Sequence, residues 1–427
     1  MSGTCLGIDI GTSGIRTAVL DPDGSLVSTA RAQHEQQAPE HIDAEAWWRA
    51  VQSCIIAQGE ALRSVGRDLS EVSILCVDCT SGSIVLTDAA LSPVTHALMY
   101  NSAGFDFEAT VIAQHAPDIH ITKGAGSALA RALRLQSEDH AGRAVHLLHQ
   151  ADYIIAKLMG HGGHSDQNNT LKLGYDPATG HWPEWMGQTG LRQNLLPQVH
   201  AAGAEIGQIH RPVAQELGLH HAASVHAGTT DSIAAFLAAA PLNEGAAVTS
   251  LGTTLAIKIL SKARIDAPEL GLYSHRLGGL WLAGGASNTG GGVLAALFSG
   301  EELAQLSDMI DPDQPSAYDY YPLLAPGERF PFNDPTFPPR MEPRPDSDVA
   351  FLHGLLEGIA RIEAQCYASI VEAEGPRPKQ LFTAGGGAAN ATWTAIRARV
   401  LGITPQAAAH SEAAIGTARL AGGQQGL

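Results

Sequence analysis

Two short apolar runs framing a glycine-bounded turn open the chain. Leu6–Ile10 is apolar except for Asp9, Gly11-Thr12-Ser13-Gly14 makes the turn, and Ile15–Leu20 alternates back. This period-two pattern predicts a β-hairpin. Asp21–Gly24 reads as a further turn and Ser25–Ala30 as a third strand. The period changes after Asp43, a good N-cap: Trp47, Val51, Ile55 and Leu62 recur at helical spacing until Gly66. Val72–Val77 and Ser83–Leu86 read as strands on either side of the polar turn Asp78–Gly82. Helices are expected over Phe105–His115, Ala128–Leu135 and Asp152–Met159, the last closed by Gly160. Ser224–Ala227 reads as a strand, Gly228–Ser232 as a turn and Ile233–Ala240 as a helix. Strands alternating with helices predict an α/β fold with a mixed sheet.

The second half opens as the first does. Within Ala247–Leu260, Gly252-Thr253-Thr254 stands between two apolar strands, as Gly11-Thr12-Ser13 does at the start. A repeated hairpin implies two similar domains, each offering a phosphate loop to a shared cleft. The boundaries fall at 1–238 and 239–427, with the small helix after Glu412 able to pack back on the first domain. A strand at Leu280–Ala283 leads into the glycine-rich run Gly284–Gly292 and a helix to Phe298. Asp311–Pro345, rich in proline and aromatics, reads as a packed, irregular excursion. A long helix over Asp348–Ala373, a strand at Gln380–Thr383, the turn Gly385–Gly387 and a helix over Thr392–Leu401 complete the pattern.

Composition narrows the class. The chain has 427 residues, enough for two cores, and a net charge of -17 from 26 basic and 43 acidic residues. That balance argues against nucleic acid or an anionic membrane surface as the main partner. The five cysteines are odd in number and scattered, as in a cytoplasmic protein with reduced thiols. Cys76 and Cys79 lie three apart on one strand and so face opposite sides, which disfavours a metal or redox pair. No apolar run is long enough to span a membrane.

The glycine-rich turns carry the chemistry. Gly11–Gly14 fits neither GxxxxGK[ST] nor GxGxxG. Backbone N–H groups and the hydroxyls of Thr12 and Ser13 suit an anion, and Asp9 is placed to hold a Mg²⁺ that touches it. An ordinary hairpin with a flexible turn is the bland alternative. Asp231 opens a helix, where it serves either as a capping carboxylate or as a general base for a substrate hydroxyl. Ser165–Asn169 is either a solvated loop or a set of groups for sugar hydroxyls. The histidine pairs His161/His164 and His220/His221 lack the partners of a metal site and read as loop residues.

Together GIDIGTSG (Gly7–Gly14), GTTDS (Gly228–Ser232), SLGTT (Ser250–Thr254), GGASNTGGG (Gly284–Gly292) and AGGGAAN (Ala384–Asn390) resemble the FGGY carbohydrate kinases over nearly the whole chain. The turn VDCTSGS, SDQNNTLKLGYDP (Ser165–Pro177) and Ser274–Gly291 resemble the D-ribulokinase branch, the xylulose-kinase-like proteins of plants and cyanobacteria. The resemblance implies two actin-like (ribonuclease H-like) α/β domains with ATP and a small-molecule sugar between them, in a monomer or homodimer. It implies that Asp9 and Asp231 hold Mg²⁺, that Thr12 and Ser13 face the phosphates, and that Asp231 is the catalytic base. It assigns Gly252 and Thr253 to the γ-phosphate, Gly292, Gly385, Gly386 and Asn390 to the nucleotide, and Ser81 and Asp231 to the ketose.

One stretch departs from the family. Many members carry Trp-x-Asp-x-Arg where this chain has Tyr100-Asn101-Ser102-Ala103-Gly104, with neither carboxylate nor guanidinium. The expected activity is phosphorylation of D-ribulose to D-ribulose 5-phosphate. D-xylulose is the alternative acceptor, and an actin- or Hsp70-like ATPase without a sugar acceptor is the alternative of another class.

Overall fold

Where strands are buried on both faces they read as unbroken apolar runs, and the first such run sits mid-sheet. In the computed structural model, which describes residues 3–38, 41–124 and 126–423, β1 (Thr4–Gly11) pairs antiparallel with β2 (Gly14–Leu20) and parallel with a later strand. The chain continues through β3 (Leu26–Gln33), α1 (Ala44–Ser64), β4 (Val72–Cys79), β5 (Ile84–Thr87), α2 (Asp106–Ala113), α3 (Ala128–Glu138), β6 (His146–His149) and α4 (Gln150–Met159). Then follow β7 (His164–Asp166), β8 (Gln198–His200), β9 (Glu205–Gln208), α5 (Arg211–Leu217), β10 (Ser224–His226), β11 (Thr229–Thr230) and α6 (Asp231–Ala239). The main sheet has the order β3-β2-β1-β4-β10-β9, with β11 also on β4. The pairs β5–β6 and β7–β8 stand apart from it. Asp43 caps α1 through Glu45 N–H, and Trp47, Val51, Cys54, Ile55 and Leu62 turn its apolar stripe into the core.

The second unit is built on β12 (Ala246–Leu251), β13 (Leu255–Ser261), β14 (Tyr273–Leu277), β15 (Leu280–Ser287), α7 (Gly291–Leu297), α8 (Gly300–Asp308), α9 (Asp348–Glu372), β16 (Gln380–Ala384), α10 (Ala391–Leu401) and β17 (Gln406–Ala407). Its sheet has the order β14-β15-β13-β12-β16-β17. Leu352, Leu355, Leu356, Ile359 and Ile362 of α9 fill the core beside it. The buried Arg397 of α10 makes a two-pronged ion pair with Glu363 of α9 at 2.7 and 2.8 Å and also reaches Thr383 of β16. Glu363 accepts from Thr249 of β12. One buried knot thus ties two strands to two helices.

The chain divides into a unit ending at Ala238, with Arg276–Gly278 and the segment from Glu412, and a unit of Ala239–His275 and Gly279–Ser411. The last helix, α11 (Ala413–Gly422), therefore lies in the first unit, against β1 and β4. Two glycines permit the approach: a Cβ on Gly7 would meet Ala414 O and Ala418 N, and one on Gly416 would meet Ala234 O and Ala238 N.

Several stretches differ from the sequence expectation; the expected turn Gly228–Ser232, for one, holds β11 and the first residues of α6. The strand begun at Leu280 runs on to Ser287, so Gly284 and Gly285 pair with Lys258 and Ile257 rather than forming a loop. They are small because Ile257 O and the Phe330 ring lie where their side chains would go. Helix α8 has weak helical formers at its edges and escaped the periodicity. Ser165–Asn169 is not solvated: Ser165, Asp166, Asn168 and Asn169 are buried. Asp311–Pro345 does pack, with Tyr320, Tyr321 and Phe330 inside and Glu328 accepting from Ser287, Asn288 and Tyr321.

Candidate active site

Three carboxylates arise from three neighbouring strands of the first unit. Parallel pairing sets Asp9 of β1 opposite Asp78 of β4, and Asp78 opposite Thr229 of β11. Asp231 follows β11 directly and begins α6. Asp9 and Asp78 are buried, whereas Asp231 is partly exposed. Arg16 on β2 meets Asp9 at 3.2 Å and Glu412 at 3.6 Å. Thr417 of α11 donates to Asp78 Oδ2, while Asp78 Oδ1 has no partner among the described residues.

Burial raises the pKa of both inner carboxyls. For Asp9 the Asp78 carboxyl beside it and the charge of Arg16 work against it. For Asp78 the charge of Asp9 adds to it. Hard oxygen donors with one orphaned buried oxygen suit Mg²⁺. Among the described residues no three carboxylate, imidazole or thiol groups could hold a metal on their own.

Thr12 and Ser13 form the exposed two-residue turn between β1 and β2, and a ring nitrogen of His34 lies 2.8 Å from Gly11 O. Ser81 lies just past β4, in a turn whose Thr80 N–H donates to Ile10 O. Its hydroxyl is buried and unpartnered. The Ser165–Asn169 cluster supports this arrangement from behind. Asp166 accepts from the N–H groups of Asn168 and Asn169 and from the Asn169 amide. Asn168 and Asn169 in turn bond Thr229 through its hydroxyl and carbonyl. The Asn168 and Asn169 amide nitrogens thus fix β11, the strand that leads into Asp231, while Asn168 Oδ1 has no partner among the described residues. Burial, with the charge of Asp152, pushes the Asp166 carboxyl up to about 6.

The second unit holds a cavity of about 620 Å³ lined by Gly252, Thr253, Gly292, Gly386, Asn390 and Trp393 among others. Gly291 N–H donates to Gly252 O at 2.8 Å and Gly292 N–H to Thr253 O at 3.0 Å. The glycine run thus lies backbone to backbone on the Gly252–Thr254 turn, and a Cβ on Gly292 would stand 2.8 Å from Thr253 O. Gly385 has φ +86° and lies behind the wall, its missing Cβ 2.6 Å from Leu251 O. Asn390 lines the cavity, but its oxygen caps α10 at Trp393 N–H and its amide donates to Ser307. Leu294, Leu303 and Ala304 give the cavity an apolar side. A cavity walled by glycines on one side and apolar residues on the other suits the phosphates and base of a nucleotide.

The structure sets Asp9 and the start of α6 at Asp231 on either side of Asp78, across β4, and gathers Gly252, Thr253, Gly292, Gly386 and Asn390 around one cavity; Gly385 shapes it from behind. Sequence reasoning missed Asp78, although Asp78-Cys79-Thr80-Ser81-Gly82 echoes Asp9-Ile10-Gly11-Thr12-Ser13-Gly14. It also missed Ser307 and the α8 wall. The five cysteines are free and buried. No helix among the described residues is long and apolar enough to cross a membrane.

The model for the N-terminal domain of the FGGY family of carbohydrate kinases matches residues 4–238, and that for the C-terminal domain matches residues 247–424. A xylulose kinase of Escherichia coli (strain K12) is 24% identical, over 97% of this chain and 89% of its own. A solved kinase from Brucella ovis, described as a xyloylose kinase, superimposes with a TM-score of 0.84 at 22% identity, over 98% of this chain and 90% of its own. Plasmodium falciparum glycerol kinase, solved with ADP, gives 0.84 at 15% identity over 99% and 90%.

Proposed function

As the chain belongs to the FGGY family of carbohydrate kinases, we propose that this sugar kinase transfers the γ-phosphoryl group of ATP to a ketopentose, with D-ribulose the acceptor and D-ribulose 5-phosphate the product. The observation that carries the reading is Asp231, partly exposed at the start of α6 and fixed behind by Thr229 and the buried Asp166–Asn169 cluster.

A sugar hydroxyl does not ionise at neutral pH, so a base must take its proton as it attacks. Asp231 fills that role: Ser232 N–H donates to its Oδ1 at 2.6 Å, which orients the carboxylate. Asp9 and Asp231 would hold Mg²⁺, which would neutralise charge on the phosphate oxygens. Thr12 and Ser13 would add donors from the first unit; Gly252, Thr253 and Gly292 would cradle the phosphates in the second. Most of the rate would come from alignment and charge stabilisation, less from the base.

The absence of Asp and Arg from Tyr100–Gly104 supports a sugar site unlike that of most relatives, and with it D-ribulose. D-xylulose is the second reading, favoured by the names of relatives such as the Escherichia coli and Lactococcus lactis xylulose kinases. A coupled ADP-release assay with Mg-ATP and D-ribulose, D-xylulose, L-ribulose, ribitol and glycerol tests it. A preference for D-ribulose upholds the reading; a preference for D-xylulose replaces it. Steady ATP hydrolysis with no response to any sugar refutes both.

A further inference from the structure

Resting on that kinase reading, we propose that Gln150, Arg131 and Ser81 bind the carbonyl end of the ketose acceptor, in place of the charged pair missing from Tyr100–Gly104. All three residues adjoin the turn after β4, Ser81 on it, Gln150 through its backbone and Arg131 through its guanidinium. Gln150 opens α4 and its N–H donates to Ser83 O at 3.0 Å. The Arg131 guanidinium, on α3, donates to Gly82 O at 3.4 Å and to Tyr100 O, so it joins this turn to the departing segment. Arg131 and Gln150 are each only 1% exposed.

Each holds polar atoms that nothing in the described protein satisfies: both the oxygen and the nitrogen of the Gln150 amide, Arg131 Nε and Ser81 Oγ. Leaving such groups buried and unbonded is costly, and four at one turn call for an external partner. Arg131 also has no carboxylate partner among the described residues; burial lowers its pKa only to about 10, so it stays a cation at neutral pH.

The chemistry of the set selects the end of the sugar. The carboxylates Asp9, Asp78 and Asp231 belong with the hydroxyl that loses its proton. A guanidinium has donors only and calls for an acceptor. The carbonyl oxygen of a ketose is such an acceptor, and the hydroxyls flanking it can both give and receive, as an amide and a serine require. A polyol, with a hydroxyl in place of the carbonyl, loses the acceptor-only atom.

Gln150→Met, Arg131→Met and Arg131→Lys, made in the full chain, test this by steady-state kinetics with the ketose that the wild type prefers, with ribitol and with ATP. Gln150→Met is expected to raise the ketose KM at least about tenfold, leave the KM for ATP unchanged, and leave the melting temperature equal or higher because an orphaned amide is gone. Arg131→Lys should keep part of the ketose affinity that Arg131→Met loses, and both should narrow the preference for ketose over ribitol. Wild-type ketose KM in Gln150→Met overturns the proposal. So does a lower melting temperature with ketose and ATP KM rising together, the mark of a structural role. A wild type inactive on every ketose refutes the kinase reading and this proposal with it; an active wild type with indifferent variants refutes this proposal alone.

Discussion

Asp9 and Asp78 stand in register across the parallel pair β1–β4, with Arg16 on the first and Thr417 on the second. Two buried carboxyls this close cannot both ionise unless a cation joins them. Asp78→Asn imitates the protonated form: its amide can donate to Asp9 and its oxygen can accept from Thr417. The variant is expected to fold with unchanged or higher stability, and to need about 10–100-fold more Mg²⁺ for half-maximal turnover. A Mg²⁺ titration of turnover, beside a melting curve in chelator, checks this.

Asp231→Asn keeps the oxygen that Ser232 N–H bonds but removes the base. Sugar phosphorylation should fall by about 10²–10⁴-fold, with an unaltered circular dichroism spectrum and unaltered nucleotide binding. Near-normal turnover would remove Asp231 from the role of base.

Gly385 and Gly386 are adjacent yet should respond differently to alanine. Gly385 has φ +86°, and its added Cβ would press on Leu251 O and Gly252 N. Gly385→Ala should cost about 1–3 kcal/mol of stability and weaken ATP binding. Gly386 has open space where a Cβ would stand and lines the cavity. Gly386→Ala should leave the unfolding midpoint alone and raise only the KM for ATP, through contact with the nucleotide itself.

The strand–turn–helix order, the duplicated hairpin and Asp231 at a helix start were legible because each is written in a few consecutive residues. Gly7–Gly14 and Ser250–Thr254 announce themselves in this way. What escaped depends on residues remote in sequence. The burial of Asp166, Asn168 and Asn169 could not be read from a polar run that looks solvated; it follows from Thr229, which offers them partners. The capping of α10 by Asn390 was hidden beneath its expected nucleotide role, since a cap and a ligand contact use the same residue type.

Glu363 and Arg397, both fully buried, support β12 and β16, the strands that lead into the Gly252 and Gly385 turns. Glu363→Leu would strand the guanidinium and cost about 3–5 kcal/mol. Denaturant unfolding should show that loss, together with a raised KM for ATP in whatever fraction stays folded.

His164 and His200 hydrogen-bond ring to ring at 3.0 Å, and the His161 ring packs on His164. Burial lowers the pKa of both His164 and His200, and the neighbouring rings lower that of His164 further. The folded state therefore binds fewer protons than the unfolded one below about pH 6.5, where free histidine titrates. This part of the stability is complete above that pH and is lost as the pH falls. His164→Asn should flatten the decline of the melting temperature between about pH 6.5 and 5, and an equally steep decline would contradict the assignment.

The placement of α11 bears on how the protein is made. A ribosome delivers β1 and β4 early, but the helix that covers them, and the Thr417 hydroxyl that Asp78 receives, come only after the second unit has been made. Until then the face of β1 and β4 that carries Gly7 and Asp78 is uncovered, and the acidic pair is unsealed. Completion of the first-made unit thus waits for a helix that follows the whole of the second.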